Sequence, residues 1–122
     1  VSLEEFVEYS KSMFAYWTED DFASSFRKML TIEQFRSEEM QGLYQQYLSS
    51  GPAAYVKDLF ESMGIAHAEE NAVRFYATMY FYYSVYDGAD DKEKVKNEFA
   101  SAIGSMAQEW IKQPKLTQIR KS

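Results

Sequence analysis

The residues from Asn71 to Tyr86 read NAVRFYATMYFYYSVY, sixteen positions with no Gly, no Pro and a single charge, Arg74. Wound as a helix at about 100° per residue, this stretch puts Tyr76, Tyr80 and Tyr83 on one side and Phe75, Met79, Tyr82 and Tyr86 on an adjoining one. The far side carries Val73, Ala77, Phe81 and Val85. A helix that is apolar all round is buried all round. In a chain of 122 residues one layer of neighbouring helices covers one side of it, so a second copy of the chain or a bound ligand is expected on the other. The tyrosine hydroxyls make part of that lining polar.

The segments on either side also read as helices. Ser2 with Glu5 is a capping-box pattern that opens a first helix, with Leu3, Phe6, Val7, Ser10, Met13, Phe14 and Trp17 along one face. Thr18 with Asp21 repeats the signal for a second helix, in which Phe22, Phe26, Met29 and Leu30 lead to about Arg36. Ser37 is placed to cap a third, whose Met40, Leu43, Tyr44, Tyr47 and Leu48 follow the helical template. Ser49-Ser50-Gly51-Pro52 is a break, with Pro52 suited to the first residue of a fourth helix that buries Tyr55, Val56, Leu59, Phe60 and Met63 and stops at Gly64. The aromatic helix runs from about His67 to Tyr86. Asp90 with Glu93 then opens a sixth, striped by Val95, Phe99, Ala102, Ile103, Met106 and Trp110, beside a shoulder of Ala100, Gly104 and Ala107. Pro114 ends that helix, and a loose basic tail is expected over 113–122. With no strand alternation or internal repeat, the class is all-α, one domain over 1–112.

Composition narrows the function. A net charge of −6 argues against these residues gripping a phosphate backbone, because nonspecific nucleic-acid affinity comes mainly from Lys and Arg. The apolar stretch is shorter than the ~20 residues a spanning helix needs, so no membrane partner is expected. The chain has no cysteine and opens VSLEEF, without a signal-peptide pattern, which fits a cytoplasmic protein.

The two last helices are long, are joined by a tight turn, and carry more apolar or small surface than one partner covers. Meeting their own copy across a two-fold axis, they predict a four-helix bundle in a homodimer. The candidate interface is Ala77, Phe81, Val85, Phe99, Ala100, Ile103, Gly104, Ala107 and Trp110. The alternative is that the aromatic helix is the central helix of a monomer.

The run Phe26-Arg27-Lys28-Met29-Leu30-Thr31-Ile32-Glu33-Gln34-Phe35-Arg36, followed by Glu39-Met40 and Leu43-Tyr44, resembles the middle of the regulatory domain of TetR-like transcriptional repressors. Arg74-Phe75-Tyr76-Ala77 and Ser84-Val85-Tyr86-Asp87 are similar to the penultimate helix of that domain, and the resemblance spans roughly Leu3 to Trp110. It implies a six-helix effector-binding and dimerising domain whose last two helices form the dimer bundle. In that family an N-terminal helix-turn-helix binds operator DNA, and a small molecule in the regulatory core changes the spacing of the two DNA readers. No such motif is present here, so the resemblance also implies that this is a fragment and that operator DNA is reached only through a module outside it.

The titratable residues do not assemble an enzyme or a metal site. His67 stands alone at a helix start and reads as a surface or capping residue. Glu33 lies on the face of Phe26, Met29 and Leu30, where it either pairs with Arg36 or orients a ligand donor from inside a pocket. Arg74 either pairs with Glu70 or acts as a buried counter-charge to an anion. Asp90, Asp91 and Glu93 are ordinary charges at a helix N-terminus. No cofactor is indicated.

Buried tyrosines need hydrogen-bond partners, and a cavity holding water or a ligand meets that need. The expected pocket is lined by Met13, Trp17, Phe26, Leu30, Phe60, Tyr76, Tyr80 and Tyr83, and takes a mostly apolar or aromatic small molecule. The competing readings are a dimerisation or protein-interaction module packed solid, and a helical carrier of hydrophobic metabolites.

Overall fold

The computed structural model describes residues 1–112; the tail expected over 113–122 lies outside them. Among the described residues the chain is all-helical. The helices are α1 (Leu3–Glu19), α2 (Asp21–Glu33), α3 (Glu38–Leu48), α4 (Ser50–Ser62), α5 (Ala68–Gly88) and α6 (Lys92–Lys112). No helix among the described residues is long and apolar enough to cross a membrane.

Local chemistry sets most boundaries. Ser2 accepts the Glu5 N–H at 3.1 Å and Ser37 accepts the Met40 N–H at 3.2 Å, both as N-caps. Between α1 and α2 the cap is Asp20, which takes the Ala23 N–H at 2.8 Å, and not Thr18. Thr18 stays inside α1 because its hydroxyl donates to the Phe14 carbonyl one turn back, at 2.7 Å. Likewise Asp91, one residue beyond Asp90, receives the Lys94 N–H at 3.1 Å at the start of α6. The end of α4 is a Schellman turn: Gly64 takes a φ of 72°, Ile65 N–H donates to Phe60 O and Gly64 N–H to Glu61 O. α3 and α4 are divided only by Ser49, and they fold back so closely that a Cβ on Gly51 would stand 2.2 Å from the Gln46 carbonyl oxygen. Pro52 therefore lies inside the first turn of α4, after Ser50 and Gly51, where its missing N–H has no intrahelical partner to lose.

α5 is the central helix, packed by α1, α4 and α6. Phe75, Met79, Tyr83 and Tyr86 of α5 meet Phe6 and Phe14 of α1, Val56 and Phe60 of α4, and Val95, Phe99, Ile103 and Trp110 of α6 in one core. Phe14 stacks on Phe99 with ring centroids 4.3 Å apart, and Trp110 packs on Phe60 at 4.7 Å. A smaller core of Leu30, Tyr44 and Leu48 joins α2 to α3.

Within the single chain α5 is not covered on every side. Its outer face carries Val73 and Phe81, 54% and 61% exposed, with Ala77 and Ser84 beside them. α1, α4 and α6 pack on the inner side, and the outer one is bordered by Tyr44 and Leu48 of α3 and by Ser50 and Ala53 at the start of α4.

The proposed partner surface on α6 also divides. Phe99, Ile103, Ala107 and Trp110 are buried by the chain's own α1, α4 and α5, so they are not open to a second copy. Ala100 and Gly104 are half-buried, on the edge they share by helical spacing with Lys96. That edge lies beside α1, since Lys96 Nζ reaches Glu19 at 2.6 Å. Of the expected interface, only Ala77, Phe81 and the half-buried Val85 of α5 form a surface away from α1.

Candidate functional site

A cavity of about 250 Å³ opens between α1, the end of α3, the start of α4 and α5. α1 lines it with Phe6, Tyr9, Ser10, Met13 and Trp17, successive positions of one helical face. Gln46 and Tyr47 come from α3, and Gly51, Pro52, Tyr55 and Val56 from α4. The floor is Phe75, Tyr76, Met79 and Tyr83 of α5. The opening lies at the α3–α4 break, where Gln46 and Tyr47 just before Ser49 and Gly51 and Pro52 just after it face the α1 residues. An apolar cavity of about 150 Å³ holds benzene, so this one has room for roughly a bicyclic molecule.

No carboxylate, ammonium, guanidinium or imidazole is part of the lining. Its polar side-chain groups are tyrosine hydroxyls, the Trp17 indole N–H, the Gln46 amide and the Ser10 hydroxyl, which already donates to Phe6 O at 2.8 Å. Tyr9, Tyr47 and Tyr55 are exposed at the mouth. Tyr76 and Tyr83 are the deep pair. Tyr76 donates to the Leu48 carbonyl at 2.5 Å, fastening α5 to the end of α3, and burial holds its hydroxyl far above the ordinary tyrosine range. Burial also pushes the Tyr83 hydroxyl well up, against a smaller opposing pull from Arg27.

Four of the eight residues expected in the pocket meet there: Met13, Trp17, Tyr76 and Tyr83. Phe60 belongs to the main core, where it packs on Phe6, Phe75 and Trp110, and Leu30 to the smaller one. Phe26 lies outside, stacked on Trp17 and Phe22 and set edge-on to Tyr47. Tyr80 turns to the outer side of α5, where its hydroxyl hydrogen-bonds Tyr44. Burial, and then that bond, raises the Tyr44 hydroxyl to about 12. Tyr80 there borders a broad groove formed with Val73, Ala77 and Phe81 and with Tyr44, Leu48 and Ala53.

The expected lining left out Phe75 and Met79, although they follow the same helical row, and from α3 and α4 it took only Phe60, in place of Gln46, Tyr47, Gly51, Pro52, Tyr55 and Val56. The first were legible as neighbours of Tyr76. The second depend on how α3 turns into α4, and Gln46 carries no signal of its own.

Beside the pocket lies a brace the sequence left unread. Arg27 of α2 is 5% exposed and forks onto the Asp87 carboxylate near the end of α5, with N···O distances of 2.7 and 3.0 Å. Its Nε donates to the Trp17 carbonyl of α1 at 3.0 Å, and its guanidinium lies 5.0 Å from the centre of the Tyr83 ring. One side chain thus joins α1, α2 and α5 next to two pocket residues.

The other singled-out residues stand on the surface. Glu33 pairs with Arg36 at 3.0 Å, which removes it as a pocket carboxylate. Arg74 is exposed, so it is not a buried counter-charge. His67 is exposed and takes the N-cap position of α5 in a left-handed conformation, with its carbonyl accepting the Asn71 N–H. Among the described residues no group of three or more His, Cys, Asp or Glu side chains is placed to hold a metal ion. Compared with known protein families, curated proteins and solved structures, the chain matches none of them.

Proposed function

We propose that this chain is the effector-binding and dimerising domain of a TetR-like transcriptional regulator, and that the cavity between α1, α4 and α5 is the effector site. The observation that carries the reading is the cavity itself: about 250 Å³ with a mostly apolar wall and a few convergent hydroxyls, as small-molecule sites have. A module built only for pairing would be filled there, as protein interiors are.

An effector lying between Met13 and Trp17 on one side and Tyr55 and Val56 on the other favours one spacing of α1 and α4. Arg27 is the reference against which α1 moves, because it holds the end of α1 through the Trp17 carbonyl while locked to Asp87 of α5. Occupancy then shifts the population between two settings of α1, and a DNA-binding module attached to the regulator follows. The open face of α5, centred on Ala77 and Phe81, supplies the contact to a second copy.

The test is a thermal melt at several protein concentrations, with and without a panel of hydrophobic and aromatic compounds. A dimer melts higher when concentrated, and a ligand at 100 times its dissociation constant adds about 2.7 kcal/mol. Phe81→Glu should abolish the concentration dependence, while Met13→Trp, which fills the cavity, should abolish the ligand shift. A melt indifferent to concentration rejects the dimer, and one indifferent to every compound leaves the interaction module.

A further inference from the structure

The pocket reading extends to the chemistry of the ligand. Tyr83 is 4% exposed, yet among the described residues its hydroxyl has no hydrogen-bond partner. No sealed side-chain nitrogen or oxygen among those residues lacks a partner, so this oxygen is not sealed; Tyr83 borders the pocket and also a smaller cleft beside Arg27, Thr31, Tyr80, Ser84 and Asp87. Its ring is held on both sides, stacked on Phe14 at 5.6 Å and facing the Arg27 guanidinium, so the hydroxyl has a set position. Like any phenol it keeps its proton at neutral pH, so it can donate to a ligand acceptor as well as accept.

The second observation is the absence of charge. No ionised side chain lines the cavity, and the nearest deep cation, Arg27, stands outside its lining with its charge already matched by the fork onto Asp87. A charged ligand would lose its hydration with nothing to replace it. An uncharged one loses far less.

We propose that the pocket takes an uncharged, mostly aromatic or apolar molecule of about bicyclic size, anchored by one acceptor oxygen that receives the hydrogen bond of the Tyr83 hydroxyl. This rests on the pocket reading above. A donor lacking its acceptor and an acceptor lacking its donor are both costly in a dry site, so the bond selects among ligands of equal shape.

Three bicyclic probes of matched size test it by calorimetric titration: 2-acetylnaphthalene, its oxygen-free isostere 2-isopropenylnaphthalene, and 2-naphthoate. Tyr83→Phe keeps the ring and, since the hydroxyl bonds nothing in the chain, should fold with an unchanged melt. It is expected to weaken the ketone about tenfold or more and leave the isostere unchanged or tighter. On the unaltered protein at neutral pH the carboxylate should bind at least about tenfold more weakly than the ketone, a comparison that needs no variant. If ketone and isostere bind but neither responds to Tyr83→Phe, or if the carboxylate binds best, the anchor is wrong while the pocket stands. If none of the three binds, both readings fall.

Discussion

Removing Asp87 should cost this protein more stability than removing Arg27, although Arg27 is the more deeply buried of the two. The side chains are 28% and 6% exposed, respectively. At an effective dielectric of about 20, unit charges about 4 Å apart attract by roughly 4 kcal/mol, and deleting one partner of a buried pair costs about 3–5 kcal/mol. Asp87 is partly hydrated, so its truncation belongs at the low end, about 3 kcal/mol for Asp87→Ala, mostly from stranding the guanidinium. Arg27→Met strands far less, because Asp87 can turn to water. Its cost is the lost bond to the Trp17 carbonyl, about 1–2 kcal/mol. The double variant should match Arg27→Met alone, since no buried charge is left to strand. Urea unfolding followed by circular dichroism, at one fixed protein concentration, reads all three differences. In a melt, Asp87→Ala should fall on the order of 12 °C. An Arg27→Met loss equal to or larger than that of Asp87→Ala would refute the stranded-charge argument, and losses under about 0.5 kcal/mol for both would place the pair among ordinary surface bridges.

Two further outcomes follow from the backbone and from the tyrosines. Gly51→Ala should destabilise by about 2 kcal/mol, because its Cβ meets the Gln46 carbonyl and the α3–α4 reversal must open. Gly64→Ala should lose only about 1 kcal/mol, the cost of a left-handed alanine with open space around its Cβ; equal losses in urea titrations would count against the tight reversal. Tyr44, Tyr76 and Tyr83 keep their protons in the fold above the unfolded value near 10, so the unfolded chain releases protons first. Stability is therefore full below pH 10 and falls from there toward pH 12, with each group able to take up to about 1.4 kcal/mol per pH unit; a melting temperature flat between pH 9.5 and 11.5 would contradict the buried hydroxyls.

Much of the fold was legible because helix signals are local. Ser2 and Ser37 cap their helices within three residues of themselves, and Gly64 ends α4 through its own φ. The misplaced caps at Thr18 and Asp90 erred by one or two positions, where two oxygens compete for one turn and only packing chooses. The pocket was half legible. Met13, Trp17, Tyr76 and Tyr83 share helical rows that point inward, whereas Phe60 and Leu30 carry the same signal and were drawn into solid core instead.

By itself, the sequence determined that this protein is helical, where most helices begin and end, and that α5 is richer in aromatic surface than a single small domain can cover. Those properties depend on residues within a turn or two of one another. Only the tertiary structure decided which side of α5 is core, which is pocket wall and which is left open, because a helix that is apolar all round has no period to orient it. The inward placement of Phe99 and Trp110 was also decided by the tertiary structure: Phe99 stacks on Phe14 of α1, and Trp110 packs on Phe6, Phe60 and Phe75. The Arg27–Asp87 brace was decided there too. Sixty residues separate its ends, and no spacing rule links them until α1, α2 and α5 have packed.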